Sequence, residues 1–371
     1  MYWYNCTAES NGTRCGDTQV GSSPNDINVV EEYLDDEQTL YVLRVLMFGV
    51  TPAISVFGIT GNVFSMLVLS RHGLKKSSNI LLFSLAISDL TFLIGFNSVP
   101  KLLYEVSGNA EGFRYSEGVS YTLYILYHVF HNMDYACGGI SLTLPMLITF
   151  ERLVAVFLPL KFHQIVTPVR TWCAVSTIST FWWVFFIHTS MYADFSYSFS
   201  DRLNQSVGLI VRSSYHYHNT NTVAILEETM SYLMMKIPPG VTLVGCIAIG
   251  VKVKMASAKR RKMSSSTSGE SSRRTTKMLM AVCAVYTVTC GILSLPTFIP
   301  QYMAYTMTSD APSNLGKVMY QVINIIVCIN SSYNFIIYVA MNKNFRDTYK
   351  SLFVVCCFQQ RNKRTSQEQS K

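Results

Sequence analysis

The chain has 371 residues, 49% hydrophobic and only 14% charged, with a formal net charge of +8. A soluble domain carries about 25% charged residues, and covering the surface of one this long takes more charge than is present. A soluble enzyme, a disordered chain and a single core on one anchor are excluded, and the long apolar blocks point to a polytopic membrane protein.

Residues 1–40 form a polar, acidic tail; through residue 43 it holds eight acids against Arg14. Its start, MYWYNCTAES, lacks the basic region and apolar run of a cleavable signal, so the first apolar block is expected to serve as the insertion signal. Asn5-Cys6-Thr7 and Asn11-Gly12-Thr13 are glycosylation acceptor tripeptides, and Asn204-Gln205-Ser206 further on is a third. Cys6 and Cys15 are placed to pair with each other if the tail is extracellular.

Seven apolar blocks follow, near 41–70, 78–104, 121–157, 170–193, 229–255, 276–305 and 317–341. Each exceeds the ~20 residues that a helix needs to cross a bilayer, and each is too long for a barrel strand. Helices also satisfy their own backbone hydrogen bonds, which lipid demands. The expectation is an all-α membrane protein, a seven-helix bundle over 41–341. The Lys and Arg of the links at 71–76, 158–170 and 252–277 and of the tail at 342–371 number 21, against seven on the other side. Cytoplasmic segments carry the positive excess, so the N-terminus is expected outside and the C-terminus inside.

The link KRRKMSSSTSGESSRRTTK, 259–277, is low-complexity and basic. Arg273-Arg274-Thr275-Thr276 suits a basic-directed kinase, and a solvated basic linker is the alternative. Residues 342–371 form a cytoplasmic tail in which Asn344 to Phe353 predicts a short amphipathic eighth helix. Cys356 and Cys357 follow as candidates for palmitoylation, or as two ordinary reduced thiols.

Ionisable groups inside apolar blocks are costly and mark functional hypotheses. Here they are Asp89, Asp134, the Glu151-Arg152 pair and Lys236. Asp134, Ser141 and Arg152 are spaced seven and eleven apart, so they share one helical stripe about 27 Å long. One helix thus presents a carboxylate near the outer mouth and a guanidinium near the inner surface. Tyr127, Phe130 and Tyr135 surround Asp134 and offer cation–π contacts to a cationic ligand, with His131 a further candidate ligand-binding neighbour. In the alternative, Asp134 is satisfied by neighbouring Tyr or His. Lys236 either meets a ligand anion or snorkels to the outer interface. His216 and His218 read as a solvated loop, because two histidines alone are no metal site.

Taken in order, Gly61-Asn62-Val63, Leu85-Ala86-Ile87-Ser88-Asp89-Leu90, Glu151-Arg152-Leu153, Pro238-Pro239, Leu293-Ser294-Leu295-Pro296 and Asn330-Ser331-Ser332-Tyr333-Asn334 to Tyr338 resemble the rhodopsin-like G-protein-coupled receptors, over residues 41 to about 357. The Thr149 to Lys161 stretch is similar to molluscan chemosensory receptors, and Asn79 to Asp89 to invertebrate neuropeptide receptors. This resemblance implies a sodium site at Asp89 with Ser141, Asn330, Ser331 and Asn334, oxygen donors that suit a hard cation. The alternative there is an uncharged hydrogen-bond network. It also implies roles in coupling and activation for Glu151, Arg152, Tyr338 and Pro296. The implied partners are an extracellular peptide or small molecule, a heterotrimeric G protein, arrestin, receptor kinases and membrane lipid at the plasma membrane, with no nucleic acid.

The chain also departs from that family. Tyr127 stands where a loop-tethering cysteine is usual, and residues 174–245 contain no cysteine. Ser294 and Phe335 replace a usual Trp and Pro, and Pro145 interrupts the third block. Cys328 occupies the retinal lysine position, so retinal is not expected as a cofactor, and sodium is the one ion implied. No enzyme motif such as HExxH or GxSxG occurs, and no internal repeat supports the transporter or channel alternative. The expected function is a receptor for an extracellular ligand. The acidic outer segments favour a cationic neuropeptide, and a chemosensory receptor for an environmental small molecule is the alternative.

Overall fold

The computed structural model describes residues 7–9, 12–14, 35–105, 112–200, 204–262, 270–293 and 314–352. Two short strands, β1 (Thr7–Glu9) and β2 (Gly12–Arg14), pair antiparallel in the tail. Helix α1 (Asp36–His72) starts where the Asp35 carboxylate accepts from the Gln38 amide at 2.7 Å. That bond satisfies one of the orphan donors of the first turn. The helix stops at Gly73, whose φ of 80° lies in a region open to glycine.

Helix α2 (Ser77–Tyr104) is interrupted at Asn97 and Ser98, just ahead of Pro100, which has no backbone donor. The Asn97 amide bridges the break, donating to the Leu93 carbonyl at 2.8 Å and the Ser55 hydroxyl at 2.7 Å. Helix α3 (Glu117–Phe157) runs 41 residues and packs against α2. Pro145 lies inside it without interrupting it, and the Tyr286 hydroxyl donates to the carbonyl of Leu142 one turn before that proline.

Helix α4 (Pro168–Thr189) starts at Thr167, whose hydroxyl accepts from the Arg170 amide at 3.3 Å. Strands β3 (Ala193–Ser200) and β4 (Gln205–Arg212) then form an antiparallel hairpin. Its alternating Phe-Ser-Tyr-Ser-Phe is a strand signal within the link between the fourth and fifth apolar blocks. Helix α5 (Thr220–Ala256) contains a π-turn at Tyr232–Lys236 directly before Pro238-Pro239, where two missing donors disturb the ladder. Helix α6 (Glu270–Leu293) and helix α7 (Asn314–Met341, interrupted at Tyr333) complete the set, and residues 343–352 are also helical.

Five of these helices, α1, α2, α3, α5 and α7, are long and apolar enough to cross a membrane. Helix α4 has 22 residues, but its Ser and Thr content dilutes its apolar character. In α6 the apolar run is Met280–Leu293, and the rest of the predicted 276–305 block lies outside the described residues.

The core is an interior layer around α3. Gly139 lets the ring of Trp182 come so near that a Cβ there would sit 2.7 Å from it. Leu85, Ile140, Leu144, Tyr286 and Tyr338 join the same cluster. Large apolar side chains such as Phe57, Leu67, Val184, Val244 and Val288 point outward and stay exposed. Buried polar and exposed apolar groups together reverse the soluble pattern and match a lipid-facing exterior.

Candidate functional site

Three polar centres follow α3 from one end to the other. Toward the N-terminal end of α3 is a pocket between α1, α2, α3 and α7, lined among others by Asn97, Lys101, Tyr127, His131, Tyr135 and Gln321. Three sequence-predicted ligand residues, Tyr127, His131 and Tyr135, therefore share one wall. Asp134 is placed differently: it is buried behind that wall and ion-paired with Lys101 of α2. Lys236 does not line the pocket; its Nζ lies 3.9 Å from the centre of the Tyr232 ring, a cation–π contact within α5.

The hairpin is fastened over this end without a disulfide among the described residues. Phe113 and Gly208 exchange both backbone hydrogen bonds, at 2.8 and 3.0 Å. The Ile210 amide donates to the Tyr104 hydroxyl at 3.3 Å, and the Tyr124 hydroxyl donates to the Ala193 carbonyl at 3.2 Å. Tyr104, Phe113, Tyr127 and Ile210 are buried together beneath it. Tyr127, the residue standing in the cysteine position, packs its ring 5.4 Å from Tyr104. Beside the hairpin, His216 is buried against Tyr192 and its pKa is lowered from 6.5, by burial first and then by the Arg212 charge.

The middle centre is Asp89. One of its carboxylate oxygens accepts from the Ser141 hydroxyl and the other from the Asn334 amide at 2.8 Å. Ser331 is buried beside them, and the Asn334 Oδ1 is buried with no hydrogen-bond partner among the described residues. An orphaned acceptor next to a carboxylate is a donor set that fits a hard cation. Asn330 is engaged elsewhere, accepting from the Tyr333 hydroxyl at 3.4 Å. The Asn62 amide donates to the Ser331 carbonyl at 2.8 Å and so ties α1 into the same region.

The third centre, toward the C-terminal end of α3, is Glu151 and Arg152, both buried. The Arg152 guanidinium reaches both carboxylate oxygens of Glu151 at 3.0 Å. The Ser78 hydroxyl, from the start of α2, donates to Glu151 at 2.7 Å and accepts from Arg152. Tyr338 is buried on α7, with its ring 5.5 Å from Phe345 and no hydrogen-bond partner for its hydroxyl among the described residues.

Several sequence-predicted sites fall elsewhere. Pro296, Asn5, Asn11, Cys356, Cys357, Cys6 and Cys15 lie outside the described residues. Asn204 is exposed at the start of β4, with a positive φ of 49°, a conformation asparagine tolerates well. Sequence reasoning missed Lys101, counted there only as an outer charge. It lies within the predicted 78–104 span, so the rule that marks buried ionisable groups reaches it too. Ser78 carried no local signal, because a serine near a helix start is ordinary.

A family model described as serpentine type 7TM GPCR chemoreceptor Srw matches residues 49–356. The chain is 24% identical to the FMRFamide receptor of Drosophila melanogaster over 83% of its own length, and spans about half, 53%, of that relative. It is 21% identical to galanin receptor 2a of Danio rerio, covering 86% of this chain and 81% of the other. It is 24% identical to neuromedin-U receptor 1 of Homo sapiens, covering 94% and 83%.

Proposed function

We propose that this chain, which belongs to the serpentine 7TM GPCR chemoreceptor family Srw, is a cell-surface receptor that carries a neuropeptide signal to heterotrimeric G proteins. The protein is a G-protein-coupled receptor and performs no chemistry of its own. One observation supports this reading most: a single helix, α3, joins the outer pocket, the Asp89 node and the Glu151–Arg152 pair, all buried from lipid. Ligand binding at one end is joined to the other through this one helix, and a ligand acts by binding one of the two bundle states better. Three relatives named for peptide ligands support the ligand class. The acidic tail adds a field that steers cationic peptides.

In this reading the chain crosses the plasma membrane seven times, with the N-terminus outside, and residues 343–352 lie along the inner surface as an eighth helix. Asp89, Ser141 and Asn334, with Ser331, would hold a sodium ion, which would supply positive charge to the node. The Glu151–Arg152–Ser78 cluster is the resting lock, and Tyr338 is the partner that Arg152 meets on activation. Asn5, Asn11 and Asn204 carry glycans and Cys356 and Cys357 carry palmitoyl chains. Receptor kinases and arrestin act on the basic link and the tail.

The second reading is a chemosensory receptor for a small molecule, favoured by the matched family's description. Nucleotide exchange on co-expressed G proteins, challenged with peptide and small-molecule libraries, separates the two. Response to a peptide at nanomolar concentration supports the first; response to small molecules alone overturns it.

A further inference from the structure

We infer that the outer pocket selects its ligand through Lys101 and that the group it takes is a carboxylate. The inference deepens the receptor reading and rests on it.

Access decides between the two buried charges. Lys101 lines the pocket and Asp134 does not. The Lys101 side chain is 8% exposed and that of Asp134 only 1%. A ligand entering from outside therefore meets the ammonium first. An ammonium has three donors and no acceptor. One donor goes to Asp134; the Phe96 and Tyr135 rings lie 5.3 and 5.6 Å from Nζ, and they offer π faces in place of lone pairs.

His131 is the second, independent observation. It lines the same pocket, is buried, and its Nδ1 has no hydrogen-bond partner among the described residues. A buried ring nitrogen left without a partner marks a missing group. With its proton on Nδ1, His131 adds a second donor to a pocket that Lys101 already lines. A carboxylate matches both, with two oxygens that accept from both donors. An amine would have to displace Lys101 from Asp134 and would leave a second cation buried without a partner. Asp134 then acts as the positioning residue that holds the ammonium in place. Tyr127, Tyr135 and Tyr320 add aromatic faces to a wall that Asn97, Gln321 and Asn324 share, so the acid carries a flat body with room for polar groups.

The carboxylate has two sources, a small aromatic acid or the free C-terminus of a peptide. Full-length protein in lipid nanodiscs is tested for thermal stabilisation by indole-3-acetate, indole-3-acetamide and tryptamine. A second arm uses the dipeptide Phe-Phe as free acid and as C-terminal amide. The acid forms are expected to stabilise the protein at concentrations at least tenfold below their amides, and tryptamine is expected to be no better than the amides. Which arm responds identifies the source. Lys101→Gln should erase the preference and Lys101→Arg should keep part of it. Because Lys101→Gln strands Asp134, the double variant Lys101→Gln/Asp134→Asn serves as the folded control and should also show none.

Preference for tryptamine, no preference, or an acid preference that survives Lys101→Gln overturns the inference. Basal nucleotide exchange on G protein is measured in the same preparations. Exchange without acid preference refutes the carboxylate site and leaves the receptor reading intact. Acid preference without exchange does the opposite.

Discussion

The Asn334 amide donates to the Asp89 carboxylate at 2.8 Å, joining α7 to α2 across 245 positions of sequence. Ser141 completes the triangle from α3, so three helices meet on one buried acid. Asp89→Asn removes the charge a cation needs while keeping the shape. Agonist affinity in the unaltered protein is expected to differ between sodium and potassium buffers, and this difference should vanish in Asp89→Asn. Radioligand competition in the two salts checks it, and equal affinities in the unaltered protein refute the ion site.

Ser78 bonds both members of the Glu151–Arg152 pair, so it fixes them to α2. Hydrogen bonds to charged groups contribute about 1.5–3 kcal/mol each, and 1.4 kcal/mol is a factor of about ten in an equilibrium. Ser78→Ala should therefore raise ligand-free nucleotide exchange on the order of tenfold. Arg152→Ala should abolish exchange with normal surface expression. A Ser78→Ala protein that is as quiet as the parent shows that the clamp does not hold the resting state.

Gly112 has a positive φ of 81°, and a Cβ there would come within 2.5 Å of the Gly208 carbonyl oxygen. The left-handed region alone costs a residue with a side chain roughly 1–2 kcal/mol. Gly112→Val should detach the hairpin and lower agonist affinity at least tenfold, while surface expression falls less. Because the hairpin is held by Phe113, Tyr104, Tyr124 and Tyr127, dithiothreitol should leave the affinity of the unaltered receptor unchanged.

Trp182 packs directly on Gly139 and donates its Nε1 hydrogen to the Thr143 hydroxyl at 3.3 Å. Gly139→Leu has no room and must push α4 off α3, at about 1–3 kcal/mol or more for overpacking. Thermal unfolding in detergent should fall by several degrees, and Trp182→Phe in the same background should recover part of it. Unchanged thermal stability in Gly139→Leu contradicts this packing.

His216 has its pKa lowered from 6.5 by burial and by Arg212. The folded form thus binds the proton less readily than the unfolded one. Stability from this residue is full above pH 6.5 and is lost as the pH falls below it, levelling off beneath the folded-state pKa. The protection of the 214–218 segment against hydrogen exchange, relative to its intrinsic rate, should fall as the pH drops below 6.5. His216→Phe should remove that pH dependence, and an identical profile in the variant refutes the assignment.

Much of this protein is local information. Long apolar runs, a capping Asp35 and Thr167, and the helical spacing of Asp134, Ser141 and Arg152 are each properties of a short window, and the sequence alone decided them. The buried stripe on α3 follows from that spacing, because an ionisable residue in an apolar helix has to turn inward. The partners of those residues are another matter. Lys101 facing Asp134, Ser78 bridging Glu151 and Arg152, and Asn62 reaching Ser331 depend on how far each helix is rotated and slid against its neighbour. The same holds for Phe113 pairing with Gly208, a contact between segments 95 positions apart. Periodicity sets which face of a helix is inward but leaves rotation by a few tens of degrees and axial offset open, and only side chains packing in three dimensions settle them.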